Sequence, residues 1–209
     1  MAGRNVAIFG ATGSIGRATI DVLRNLGSDW RIAALSAHSQ IDKLHELTQQ
    51  LQPRFAVLSA TEPASIDSLP FPTSTLVLSG PDELVRIAGS PDVDIVVAAI
   101  VGRAGVESTL AALQAGKKVA LANKETLVCA GPVVQQILLG LRDELNDASG
   151  QSQFGGPRAL AGTRLLPVDS EHSAIFQCLS SGPGKPRKLV LTASGGPFRD
   201  WTQSEMEQA

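Results

Sequence analysis

The sequence predicts an α/β fold built on a doubly wound parallel sheet, and three observations carry that reading. Short apolar runs without polar alternation, such as Val6 to Phe9 and Ile95 to Ala99, have the length and composition of strands buried on both faces. Segments of helical period separate these runs, which implies parallel strands joined by crossover helices. The first run enters its helix through Gly10-Ala11-Thr12-Gly13-Ser14-Ile15-Gly16, three glycines at a spacing of three. A turn with so few side chains lets backbone approach a pyrophosphate, whose charge rests on free N–H groups at the positive end of the helix.

The remaining elements follow in order. Arg17 to Leu26 reads as a helix with Ile15, Ala18, Ile20, Val22, Leu23 and Leu26 mostly on one side. Trp30 to Leu35 is a strand, Ile41 to Leu51 a helix and Phe55 to Leu58 a short strand. Pro63 to Thr73, rich in proline and serine, is a loop. Leu76 to Leu78 is a strand, Asp82 to Ala88 a helix, and Ile95 to Ala99 the strongest buried strand after the first. Glu107 to Ala115 is a helix ended by Gly116, and Val119 to Leu121 a strand. Val133 to Leu145 is a helix entered through Gly131-Pro132. Residues 1–145 are thus expected to form one Rossmann-like nucleotide-binding domain. Residues 146–163, rich in Asn, Asp, Ser, Gln and Gly, read as a loop or linker, and a second unit is expected over 164–209.

Composition narrows the class. The 209 residues carry 18 basic and 20 acidic side chains, interspersed, for a net charge of -2. That balance gives no footprint for nucleic acid or a membrane surface. No apolar run approaches the roughly 20 residues of a spanning helix. The first strand starts within a few residues of Met1, leaving no room for a signal peptide, so a cytoplasmic protein is expected. Cys129 and Cys178 stand apart in apolar surroundings and are expected to be buried thiols rather than a disulfide.

Three stretches bear on chemistry. An NAD site usually carries Asp or Glu about 20 residues past the glycines, to bind the ribose hydroxyls. Here the second strand runs into Ser36-Ala37-His38-Ser39-Gln40, with no carboxylate before Asp42. The space suits a 2′-phosphate, with His38, Ser39 and Lys43 as partners, and favours NADP over NAD. Ala122-Asn123-Lys124-Glu125 closes a strand on the side where ligands bind in an open parallel sheet. Asp169 and Glu171 stand two apart where an extended segment meets a helix, so both carboxylates can face one way. Such a pair suits Mg²⁺ or Mn²⁺. It equally suits a helix cap at Asp169 with Glu171 complementing the dipole, and spacing does not separate the two readings. His172 reads as a packing or supporting group.

Taken together these segments resemble the 1-deoxy-D-xylulose 5-phosphate reductoisomerases. Gly10-Ala11-Thr12-Gly13-Ser14-Ile15-Gly16, Ala98-Ala99-Ile100-Val101-Gly102, Leu121-Ala122-Asn123-Lys124-Glu125, Leu166-Pro167-Val168-Asp169-Ser170-Glu171-His172 and Leu191-Thr192-Ala193-Ser194-Gly195-Gly196-Pro197-Phe198-Arg199 follow one another in that family's order. The resemblance implies NADPH-dependent rearrangement and reduction of 1-deoxy-D-xylulose 5-phosphate to 2-C-methyl-D-erythritol 4-phosphate, in non-mevalonate isoprenoid synthesis, with Mg²⁺ or Mn²⁺. It implies that Thr12, Gly13, Ser14 and Ile15 hold the NADPH pyrophosphate, and that Asn123 and Glu125 approach its ribose and nicotinamide side. His38 and Gln40 would lie at the 2′-phosphate end, although Ala37-His38-Ser39-Gln40 departs from the Ala-Gly-Lys/Ser-Asn pattern common there. Asp169 and Glu171 would ligate the metal. Lys124, Ser170, Glu171 and Ser194 would contact the phosphorylated sugar, with Lys124 and Glu171 closest to the chemistry.

Thr202-Gln203-Ser204-Glu205 is a capping box that opens a helix about one turn before Ala209. The family continues from there with a mobile lid, a third metal carboxylate and a helical domain. The expectation is therefore an N-terminal portion, with 164–209 the beginning of the catalytic domain and a family-like homodimer as the assembly. Two other readings stand beside it. One is a non-catalytic NADPH-binding module. The other is a semialdehyde-dehydrogenase-like reductase, which would need a nucleophilic cysteine in a polar setting that neither Cys129 nor Cys178 has.

Overall fold

The alternation inside the first strand explains the layering. In the computed structural model, which describes residues 4–60, 69–147, 163–180, 187–190 and 199–208, β1 spans Arg4–Phe9. Its Val6 and Ile8 point to one side, where they pack with Ile20, Leu23 and Leu44. Ala7 and Phe9 point to the other and pack with Leu84, Ile87, Leu113 and Val134. A strand covered on both faces has no room for a polar position, hence the continuous apolar run. Each fully buried Ile, Phe or Leu contributes about 1.5–3 kcal/mol relative to exposure.

The elements are β1, α1 (Ser14–Leu26), β2 (Trp30–Ala37), α2 (Ile41–Leu51), β3 (Phe55–Leu58), β4 (Leu76–Ser79), α3 (Pro81–Gly89), β5 (Ile95–Ala98), a 3₁₀ turn (Gly102–Gly105), α4 (Val106–Gln114), β6 (Lys118–Leu121), α5 (Glu125–Asp147), β7 (Leu165–Pro167), α6 (Ser170–Ser180) and α7 (Gln203–Met206). The strands form one seven-stranded sheet in the order β4-β3-β2-β1-β5-β6-β7. Every pairing is parallel. The chain winds outward from β1 to β4, then crosses back and winds outward again from β5. Right-handed crossovers accordingly place α1 and α2 on one face and α3 to α5 on the other. The order reverses between β1 and β5, and ligands of such sheets bind at the carboxyl ends of the strands there.

The expected doubly wound sheet is present, with departures of detail. β2 runs two residues past Leu35, because Ser36 and Ala37 are buried strand residues. α5 begins at Glu125, not Val133, and is broken at Ala130 (φ −132°, ψ 19°), just ahead of Pro132. Proline lacks the donor and crowds the preceding turn, so the helix bends there instead of starting there. β7 follows Arg164 directly and pairs with β6: Val119 N–H donates to the Arg164 carbonyl at 2.7 Å and Val168 N–H to that of Leu121 at 2.8 Å. Last, Cys129 and Cys178, expected to be buried, are exposed, because they lie on outward faces of α5 and α6. On α1 the buried seam is Gly16, Ile20 and Leu23, narrower than expected, with Val22 and Leu26 turned outward.

The capping box is formed as expected. Glu205 N–H donates to Thr202 Oγ1 at 3.4 Å and Thr202 N–H to Glu205 Oε2 at 2.7 Å, which holds the Glu205 carboxyl below its ordinary range. Among the described residues no helix is long and apolar enough to cross a membrane.

Candidate functional site

The three glycines of the first turn do two different jobs. Gly10 has φ +86°, and a Cβ on it would lie 2.6 Å from the Ala99 carbonyl oxygen, just past the end of β5. A Cβ on Gly16 would meet the Gly10 carbonyl at 2.4 Å. These two glycines let the turn close against β5 and α1 against the turn. At Gly13 a Cβ would meet only the Gly10 carbonyl, at 3.3 Å, and the residue is exposed. Gly13 caps α1 without any side-chain hydrogen bond. The first-turn N–H groups therefore face outward with no cap over them, which is what an anionic ligand requires. Thr12 and Ile15 are half-buried and Ser14 is exposed beside them.

Ser36 anchors this turn from β2, and sequence reasoning placed it instead in the loop. Its hydroxyl accepts Gly10 N–H at 3.0 Å, and its carbonyl accepts Ala11 N–H at 2.8 Å. The residue is 1% exposed, so it belongs to the frame of the turn. His38, Ser39 and Gln40 are exposed past the strand end, with His38 Nδ1 at 3.3 Å from Ser59 Oγ. Gln40 precedes α2 without capping it, and Lys43 is exposed on its first turn.

A second cluster forms at the carboxyl ends of β6 and β7. Lys124 Nζ lies 3.1 Å from Asp169 Oδ2, joining residues 45 apart in sequence. The hydrogen bond and charge of Asp169 raise the Lys124 ammonium above the ordinary lysine value. Lys124 in turn holds the Asp169 carboxyl below the usual range, assisted by His172, whose Nδ1 is 3.8 Å from Asp169 Oδ1. Asp169 also accepts Ser173 N–H through its backbone carbonyl at 2.8 Å, in the first turn of α6. Glu171 and Ser170 are exposed on the first turn of α6, and Glu125 is half-buried at the start of α5. Asn123, by contrast, is 3% exposed and its side chain is spent inside the protein. Ser194 lies outside the described residues.

Asp169 and Glu171 are the residues that could hold a metal. Two hard carboxylates beside one another suit Mg²⁺ or Mn²⁺, with water and substrate oxygens completing the shell. Among the described residues no group of three or more His, Cys, Asp or Glu gathers into a metal site. Beside the nucleotide turn, Val101 is 86% exposed at the end of β5, an apolar side chain that the motif reading passed over. A concavity of about 540 Å³ lined by Leu23, Arg24, Trp30, Leu51 and Arg54 opens at the amino ends of the strands instead. Its Arg24 bonds Gln50 and its Arg54 pairs with Asp92. It lies on the edge opposite the glycine turn.

Known proteins resemble the chain along nearly its whole length. A family model for 1-deoxy-D-xylulose 5-phosphate reductoisomerase matches residues 6–131, and one for the C-terminal domain of that enzyme matches residues 165–209. The reductoisomerase of Rhodopirellula baltica is 42% identical, with 98% of this chain and 52% of the relative aligned. That of Dechloromonas aromatica is 44% identical over 94% of this chain and 47% of the relative. The chain thus spans about half the length of these curated relatives. Among solved structures, the Zymomonas mobilis reductoisomerase in complex with NADPH superposes with a TM-score of 0.74 at 36% identity, covering 99% of this chain and 50% of that one. A DOX-P reductoisomerase in complex with magnesium gives 0.73 at 37% identity, over 99% and 50%. The glycine turn, the Asn123-Lys124-Glu125 corner and the Asp169–Glu171 pair all fall within the matched residues, and the chain belongs to the 1-deoxy-D-xylulose 5-phosphate reductoisomerase family.

Proposed function

We propose that this chain supplies the NADPH-binding half and two metal carboxylates of an enzyme that converts 1-deoxy-D-xylulose 5-phosphate to 2-C-methyl-D-erythritol 4-phosphate. One observation carries the reading. The uncapped first turn of α1 and the Lys124–Asp169 pair stand at the same carboxyl edge of one sheet, so nucleotide and metal-bound sugar could meet there. The similar proteins solved with NADPH, and with fosmidomycin and magnesium, support it.

Thr12 to Ile15 would seat the pyrophosphate on the open N–H groups, and Gly13 would admit it. His38 and Gln40 would lie by the 2′-phosphate, His38 held through Ser59. Glu125 would face the nicotinamide side. NADPH, when bound, supplies the hydride, and a divalent cation supplies Lewis-acid polarisation of the ketone. Asp169 and Glu171 would hold that cation. Lys124, released from Asp169, would set its ammonium against the negative charge that develops during the skeletal rearrangement. Ser170, Glu171 and Ser194 would fix the sugar phosphate around it. A cytoplasmic location and a homodimer belong to the same reading.

The test is a chimaera in which residues 1–209 replace the matching half of the Dechloromonas aromatica relative. It should oxidise NADPH with 1-deoxy-D-xylulose 5-phosphate and Mn²⁺, and Lys124→Ala should lower turnover about 100-fold or more. A folded chimaera that binds NADPH and forms no product contradicts the proposal. The second reading, an NADPH-binding module, is favoured for the chain acting alone by the two-carboxylate donor set among its described residues. Negligible turnover by the chain itself, with NADPH binding intact, is its signature.

A further inference from the structure

Asn123 sits at the corner between β6 and α5 with both amide hydrogens already committed. Nδ2 donates to the Ile100 carbonyl at 2.5 Å and to the Gly102 carbonyl at 2.7 Å. Oδ1 accepts Thr126 N–H at 3.1 Å, in the first turn of α5. The chemistry fixes which end of the amide points where. Turned over, the oxygen would face two carbonyls and the NH₂ would face an N–H, so all three side-chain hydrogen bonds would be lost. No other side chain of this size offers two donors and an acceptor in that arrangement; aspartate would bring a negative charge against two carbonyl oxygens.

What the amide holds is as informative as how it holds it. Ile100 to Gly102 is the segment leaving β5, and its first peptide packs on the nucleotide turn: a Cβ at Gly10 would lie 2.6 Å from Ala99 O and 3.2 Å from Ile100 N. On its other side Asn123 is followed directly by Lys124, which reaches Asp169. Behind it Gly105 leaves the space the amide fills, since a Cβ there would come within 2.8 Å of Nδ2.

We infer that Asn123 is a positioning residue. It locks the β5 exit against the first turn of α5, and through Ile100 it braces the glycine turn that takes the pyrophosphate, without touching the nucleotide through its side chain. This rests on the NADPH reading above and goes beyond it.

The experiment uses the 209-residue chain, with NADPH and 2′-phospho-ADP-ribose as probes and melting temperature read in parallel. Gly105→Ala, at a buried position behind Asn123, should push the amide forward. It should weaken both probes about tenfold, as should Asn123→Asp. Asn123→Ser with Gly105→Ala should bind no worse than Asn123→Ser alone, because the collision is gone. Three results overturn the inference while leaving NADPH binding standing. They are loss of NADPH affinity alone, which marks direct contact on the nicotinamide side; a fall in melting temperature with unchanged affinities; and Gly105→Ala binding like wild type. A wild-type chain that binds neither probe overturns the NADPH reading, and this inference with it.

Discussion

The glycine turn after β1 and the carboxylate pair after β7 stand at one edge of the same sheet, but their supports differ. β1 is flanked by β2 and β5, both its faces are covered, and Val6 to Phe9 are essentially without exposure. The turn is then fixed by Ser36 on one side and the β5 exit on the other. Among the described residues β7 ends the sheet, its three residues half-buried, and neither α6 nor α7 has a buried residue. Asp169 is placed by a short strand and one ammonium. The proposed nucleotide turn is therefore fixed by packing and backbone hydrogen bonds, whereas the proposed metal side depends on the charges that gather on it.

The contrast can be broken most forcefully in the core. Phe9→Ala should cost about 3–5 kcal/mol in denaturant unfolding, while Leu179→Ala on α6, 44% exposed, should cost about 0.5 kcal/mol or less. Comparable losses would mean that 163–180 is packed as firmly as the sheet.

Gly16→Ala sharpens the comparison at the turn. Its Cβ would come 2.4 Å from the Gly10 carbonyl, backbone that cannot yield, so about 1–3 kcal/mol of stability and the NADPH site should be lost together. Wild-type melting and NADPH affinity would show that the turn is looser than its contacts imply.

On the metal side, Lys124→Met should raise Mn²⁺ affinity a few-fold and leave NADPH affinity within about threefold, because an exposed ion pair competes only weakly for Asp169. Asp169→Asn should weaken Mn²⁺. Calorimetric titration of both variants decides it, and a Lys124→Met variant that loses NADPH would place the lysine on the cofactor.

The smallest effect is in pH. The Asp169 carboxyl is held below its ordinary value, so the pair's contribution to stability is present above the unfolded carboxylate value, about 3.9, and fades as pH falls through the lower folded one. Lys124 is raised, so its share is present below about 10.4 and fades as pH climbs through the higher folded value. The stability difference between wild type and Lys124→Met should thus be flat between these limits and shrink outside them. A difference that grows in acid contradicts the pairing.

Much of this was legible in the sequence where burial on both faces removes choice. Phe55 to Leu58 and Ile41 to Leu51 carry the bounds expected of them. Ser36 was not, because a small polar residue at a strand end reads as loop until its hydroxyl is seen under Gly10 N–H. The start of α5 was hidden by Gly131-Pro132, which bends a helix already begun by the Asn123 cap. β7 is hidden in the sequence because a polar stretch precedes it and three residues carry no period. The Lys124–Asp169 pair could be named from motifs, but its closure depends on two strands becoming neighbours.

The central claim is that the uncapped turn at Gly13 binds NADPH in preference to NADH. Titration of nucleotide fluorescence with the 209-residue chain tests it directly, beside Gly13→Val. Saturable binding, tighter for NADPH and abolished by Gly13→Val with melting nearly unchanged, is the predicted result. Equal affinities for the two nucleotides, or NADPH binding that survives Gly13→Val, would contradict it.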